Sequence, residues 1–194
     1  MKEQEAIIKR FRLKDKGSKP LCLSQRYDRY HLAQFLTELG YSKGAEIGVR
    51  RANYSKFICD NNPGIKLYCI DPWAPYSNKY TTEKQNAIYE QALSNLKGCN
   101  AEIIRKNSID ALADFEDESL DFVFIDGDHT FDYAAPDIIY WSRKVRSGGL
   151  VMVHDCYSWS GAGVLQAVYA YTHCHNLTWF VTKEAEPTAF WVKP

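Results

Sequence analysis

The chain has 194 residues, with 24 Lys and Arg against 24 Asp and Glu, so its formal net charge is zero; 45% of it is hydrophobic and 14% aromatic. That length predicts one domain, large enough to bury roughly 70% of its unfolded surface without staples, and the composition excludes disordered and collagen-like classes. Zero net charge argues against a general binder of nucleic acid or membrane surfaces, and no apolar run approaches the ~18 residues of a bilayer span.

Residues 1–25 are basic, punctuated by Gly and Pro, and weakly periodic. They predict a mobile arm or lid ahead of a single domain over residues 26–194. The opening MKEQEAIIKRF has no apolar stretch typical of a secretory signal, and its acids do not suit a transit peptide. The expectation is a cytoplasmic protein. Cys22, Cys59, Cys69, Cys99, Cys156 and Cys174 form no C-x-x-C pair and predict free intracellular thiols.

From Arg26 the pattern firms. Leu32, Phe35, Leu36 and Leu39 recur at helical spacing, and Gly40 stops that helix. Ala45–Val49 predicts a short buried strand. A helix follows from Ala52 to Cys59, broken by Asn61-Asn62-Pro63-Gly64. Leu67–Asp71 predicts a second strand. Residues 72–81 are a Pro/Tyr/Ser/Asn loop, and Thr82 caps a helix through Leu96. AEIIR predicts a third strand and Leu120–Asp126 a fourth. Then come a helix over Tyr133–Val145, a turn at Ser147-Gly148-Gly149, and a fifth strand, LVMVH. Gly161–Thr172 predicts another helix. LTWFVT and TAFWV, separated by a stretch containing Pro187, predict a closing β-hairpin. The alternation implies an α/β fold: a doubly wound, mostly parallel sheet with helices on both faces. Runs such as FVFI and LVMV suit strands covered on both sides.

In such a sheet, ligands sit beyond the carboxyl ends of the strands. The first strand delivers Glu46 and Gly48 there, the second Asp71, the third Asn107 and Ser108. The fourth delivers Asp126-Gly127-Asp128-His129, and the fifth His154-Asp155. An acid at the end of the second strand can hold the ribose hydroxyls of a nucleoside cofactor, and Gly48 lets the backbone approach it. If the fourth and fifth strands are neighbours, their ends lie ~5 Å apart. Asp126, His154 and Asp155 could then share a divalent cation; oxygen ligands favour Mg²⁺, Ca²⁺ or Mn²⁺, while His154 invites Mn²⁺, Fe²⁺ or Zn²⁺, or removes the metal altogether. His129 and His154 could instead work as general bases, since imidazole titrates near neutrality. Bland alternatives stand beside these: Asp128 fixing its own turn, His129 capping the next helix. His173-Cys174-His175 is read as helix-end structure and Arg50-Arg51 as a solvated pair or an anion contact. Trp73, Tyr76 and Tyr80 either stack on a ligand or pack their loop.

GAEIGVRRANYS, LYCIDPW, LDFVFIDGDHTFDY and SGGLVMVHD, in that order, resemble the successive motifs of class I S-adenosylmethionine-dependent methyltransferases. The closest resemblance is to a small O-methyltransferase-like branch with an I-D-G-D-H segment. It covers residues from Arg26 to the C-terminus. It implies a Rossmann-like sheet of seven strands, the last antiparallel. It implies that Glu46 and Gly48 lie along the methionine part of S-adenosyl-L-methionine, that Ser55 reaches its carboxylate, that Asp71 binds ribose, and that Asn107 and Ser108 border adenine. Metal-dependent relatives, such as catechol O-methyltransferase, place metal ligands at positions matching Asp126, His154 and Asp155. The catalytic lysine of that enzyme falls where this chain has His129. Two positions depart from the pattern: Ala52 stands where the motif has glycine, and His154 replaces an acid.

The expected function is methyl transfer to a hydroxyl of a small molecule or sugar, with or without Mg²⁺ or Mn²⁺, by a chain that could form a homodimer. Two other readings compete. One is a metal-dependent glycosyltransferase using Asp126-Gly127-Asp128; the other is a non-catalytic module of the same fold. A nicotinamide dehydrogenase is disfavoured because a full G-x-G-x-x-G is absent.

Overall fold

The computed structural model describes residues 2–14 and 19–194. The apolar runs become strands β1 (Leu21–Cys22), β2 (Lys43–Ile47), β3 (Lys66–Ile70), β4 (Ala101–Ile104), β5 (Leu120–Ile125), β6 (Val145–Val153), β7 (Trp179–Val181) and β8 (Ala189–Val192). The helices are α1 (Lys2–Arg10), α2 (Arg29–Phe35), α3 (Asn53–Asn61), α4 (Thr82–Asn95), α5 (Ser108–Ala111), α6 (Phe131–Lys144) and α7 (Val164–Cys174). All strands join one sheet in the order β1-β7-β8-β6-β5-β2-β3-β4. Neighbours are parallel except at β8, which runs antiparallel to β6 and β7. The predicted hairpin is therefore the β7–β8 pair. No helix among the described residues is long and apolar enough to cross a membrane.

Strand periodicity of two explains how continuous apolar runs fill both faces. Phe122 and Phe124 of β5, with Leu150 and Met152 of β6, pack among Ile7, Phe11, Leu32, Ile58 and Ile88 from α1–α4 and their flanks. Val123, Ile125, Val151 and Val153 point the other way, onto Ile138 and Trp141 of α6 and Val168 of α7. Each such large apolar side chain contributes roughly 1.5–3 kcal/mol on burial.

Three expectations change. In the N-terminal segment, expected to be a mobile arm or lid, α1 packs in the first core, with Ile7 fully buried and Phe11 2% exposed. Phe11 meets the rings of Tyr27, Phe35 and Phe190 edge-on. Residues 15–18 of that segment lie outside the described residues. The sheet has eight strands rather than seven, because Leu21 and Cys22 pair with Phe180 and Val181 at its edge. Ser147-Gly148-Gly149 lies inside β6 instead of before it, where the register with β5 breaks between Leu120 and Phe122.

The chain leaves β2 towards both halves of the sheet, with β3 on one side and β5 on the other. This switch point opens a crevice at the carboxyl ends of β2 and β5, the usual ligand position in such sheets. The ladder continues past the strand ends. Gly48 N–H donates to Ile70 O at 2.9 Å, Asp126 N–H to Ile47 O at 2.7 Å and His154 N–H to Ile125 O at 2.9 Å. Those bonds place the polar residues of four strands along one rim.

Candidate active site

Glu46, the penultimate residue of β2, is 2% exposed, and the fully buried Ser55 of α3 donates its hydroxyl to the Glu46 carboxylate. Burial pushes the Glu46 carboxyl up to about 8; the Ser55 bond opposes this, and the charges of Asp126 and Asp71 add to it. A group whose folded pKa lies above its ordinary value of 4.5 stabilises the fold fully only below that value; its contribution is lost as pH rises through about 8. Glu46→Gln should therefore flatten the fall in melting temperature from weakly acid to alkaline pH. Parallel wild-type and variant curves would contradict the assignment.

The loop from β2 to α3 turns through left-handed conformations at Gly48 (φ 86), Arg50 (φ 52) and Ala52 (φ 58). Asp71 ties this loop down. Its carboxylate accepts from the backbone N–H groups of Val49 (3.0 Å), Arg50 (2.9 Å) and Trp73 (2.7 Å). Trp73 is packing: it is 1% exposed, and its indole N–H donates to Arg50 O at 2.8 Å. Tyr76 and Tyr80 stack on each other with centroids 4.7 Å apart, and Tyr76 is 71% exposed. Arg51 donates to the side chain of Gln91 rather than facing the crevice loop alone.

On the far side of Asp71, Asn107 precedes α5 and donates its side-chain amide to Asp110 at 3.3 Å. Ser108 donates its hydroxyl to Asp137 of α6. Asp137 is 5% exposed, and burial pushes its carboxyl up to about 6. Sequence reasoning missed this acid because it lies inside a helical stretch with no motif around it.

Beyond β5, Asp128 accepts from the backbone N–H of Thr130 at 2.8 Å and from its hydroxyl at 2.7 Å. It fixes the turn, the bland reading of that acid. Beyond it, His129 places Nε2 at 2.9 Å from an Asp155 oxygen and 3.8 Å from an Asp126 oxygen. Those two carboxylates raise the imidazole to about 10 against the opposing effect of burial. Asp155, in a left-handed conformation (φ 55), is held low by the His129 bond and neighbouring positive charge despite its burial. His154, 4% exposed, faces the Thr188 hydroxyl through Nδ1 at 3.2 Å and the Arg29 guanidinium through Nε2. Rings line one wall: Trp159 stands edge-on to His129 at 5.4 Å and lies 4.3 Å from Tyr157. His173-Cys174-His175 ends α7, where the His175 ring nitrogen meets Tyr171 O at 2.8 Å.

Asp126, His154 and Asp155 each bring one donor atom within 4.8 Å of the others, a spacing that could hold a metal ion. As folded, however, the donors are already engaged. The His154 Nε2 lone pair faces Arg29, and His129 sits on Asp155. The set does not fit a resident Mg²⁺ or Mn²⁺ in this arrangement. Arg29 was invisible to motif reasoning, since nothing in residues 26–31 spells a site.

Comparison with solved structures finds the same fold in proteins of low identity. One is the O-methyltransferase TomG of Streptomyces achromogenes, solved with S-adenosylmethionine (TM-score 0.63, 17% identity, covering 86% of this chain and 80% of that one). Another is an O-methyltransferase from Bacillus cereus in complex with S-adenosylhomocysteine (0.59, 15%, 85% and 80%). A third is the precorrin-6y C5,15-methyltransferase of Geobacter metallireducens (0.59, 16%, 83% and 87%). No curated protein matches the sequence. The family model described as a methyltransferase domain matches residues 38–156, from the end of the first domain helix through the His154-Asp155 pair. That span is well over half of the chain and contains the crevice residues from Glu46 to Asp155, and the chain belongs to this family of methyltransferase domains.

Proposed function

We propose that the chain transfers a methyl group from S-adenosyl-L-methionine to a hydroxyl of a small molecule or sugar. The observation that carries this reading is the acid-lined crevice at the β2 switch point. There Glu46, Gly48 and Asp71 meet Asp126 and Asp155 across the ends of four neighbouring strands, β3, β2, β5 and β6. A sulfonium cofactor is cationic at the reacting centre, and the aspartate carboxylates along the crevice favour it electrostatically. Asp71 retains acceptor capacity for ribose hydroxyls beyond its three backbone donors. Ser108, held by Asp137, borders the place where adenine would lie.

Methyl transfer is a direct displacement. The enzyme must align the acceptor oxygen with the methyl carbon and take the acceptor proton; alignment alone can supply several kcal/mol. In this reading His129 takes the proton, oriented by Asp155 as a carboxylate orients imidazole in other acid–base pairs. In the ligand-free site His129 holds its own proton, because two carboxylates surround it. A cationic sulfonium entering the same acidic cluster competes for those charges and lowers the imidazole pKa. Tyr157 and Trp159 offer a flat face for a ring-shaped acceptor.

The test is calorimetric titration with S-adenosylmethionine and S-adenosylhomocysteine. Micromolar binding is expected. Asp71→Ala should weaken it by roughly 10- to 100-fold, the worth of hydrogen bonds to a charged group. Absence of binding to either nucleoside would refute the donor assignment.

A further inference from the structure

We propose that Arg29 is a resident cation of this site, facing His154 while His129 faces Asp155, and that its guanidinium keeps divalent metal ions off the Asp126, His154 and Asp155 donors. A metal ion bound by these three residues needs the lone pair of a His154 nitrogen. Nδ1 is turned to the Thr188 hydroxyl at 3.2 Å, which leaves Nε2, and Nε2 faces Arg29 Nη1. The guanidinium therefore stands where the ion would have to enter.

Arg29 is placed there by several independent contacts. It is the first residue of α2, directly after Asp28, whose side chain caps that helix. Its backbone N–H donates to Glu184 at 2.9 Å, and Glu184 also accepts from the Thr182 hydroxyl at 2.9 Å. Its carbonyl accepts from the Tyr54 hydroxyl at 2.9 Å. The guanidinium lies over the rings of Tyr30 and Tyr54, at 5.3 and 5.7 Å from their centroids. A planar, permanently charged group held on two aromatic faces is a fixed cation, unlike a lysine ammonium on a flexible stem. Its Nε is buried without a hydrogen-bond partner among the described residues.

The test is titration of the full chain with Mn²⁺, followed by loss of the free-ion electron paramagnetic resonance signal. Four proteins are compared: wild type, Arg29→Met, Arg29→Lys, and Arg29→Met combined with Asp126→Asn. Removing a unit positive charge next to the donors should tighten Mn²⁺ binding in Arg29→Met by at least about tenfold over wild type. Arg29→Lys should stay near wild type, and the double variant should lose the gain. If Arg29→Met shows no cooperative melt, Arg29→Gln replaces it. Wild type binding Mn²⁺ as tightly as Arg29→Met would overturn the proposal. So would a gain that survives Asp126→Asn, because the ion would then sit elsewhere.

Discussion

Gly48→Ala is expected to destabilise the protein by about 3 kcal/mol, combining left-handed strain of ~1–2 kcal/mol with overpacking of ~1–3 kcal/mol. A Cβ at position 48 would lie 2.0 Å from the carbonyl oxygen of Asp126 and 2.8 Å from the nitrogen of Gly127, and φ there is 86°. The obstacle is backbone, so no rotamer change relieves it; β2 and β5 must part at their carboxyl ends. At roughly 2–4 °C per kcal/mol for a chain of this size, the melting temperature should fall by about 6–12 °C. The same movement displaces Asp126 from the crevice, so S-adenosylhomocysteine binding should fail together with stability. Gly64, around which an added Cβ meets nothing within 4 Å, supplies the comparison. If Gly48→Ala and Gly64→Ala unfold at the same urea concentration, the close approach of the two strands is not as described.

The second large effect is on rate. His129→Asn should lower transfer by ~10²–10⁴-fold, the usual worth of a positioned acid–base group. S-adenosylhomocysteine affinity should change little, since His129 contacts Asp155, Asp126 and Trp159 rather than the β2–α3 loop. The assay is single-turnover transfer to any hydroxyl compound that a screen shows to be methylated. The pH profile adds a sign. A base held protonated up to about 10 becomes active only as it loses its proton, so the rate should climb with pH below that value. Asp155→Asn removes one of the two charges responsible and should move the climb to lower pH. A rate indifferent to pH, or one insensitive to His129→Asn, assigns the proton to another group.

Much of the architecture is legible from local patterning. FVFI and LVMV announce strands buried on both faces, and they become the centre of the sheet, where alternate residues enter two different cores. The polar residues immediately after those runs reach the carboxyl edge, because a parallel sheet forces every strand end onto the same side. Thus Glu46, Asp71, Asp126, His129 and Asp155 stand along one rim, and their types could be listed before any coordinates. α1 carried local signals as well: Glu3 and Glu5 in its first turn, Lys9 and Arg10 in its last, and Ile7 and Phe11 four residues apart. They were outweighed by the basic, Gly/Pro-broken composition of the segment around them, which says nothing about whether one face finds a core.

Partnerships across the chain follow a different rule. Local periodicity specifies which face a residue occupies, but not which distant side chain meets it there. Arg29 and His154 are 125 residues apart and touch only because α2 begins at the rim where β6 ends. Ser108 and Asp137 meet because α5 packs against α6 on the same face of the sheet. The Asp71 carboxylate binds a loop more than twenty residues before it. These contacts decide which donors are engaged and which are free. The alternation of strands and helices and the residue types at the strand ends were thus written in short segments of the chain. The charge balance of the site arises only when the packed sheet brings those segments together, because Coulombic and hydrogen-bond energies depend on distance in space and not along the sequence.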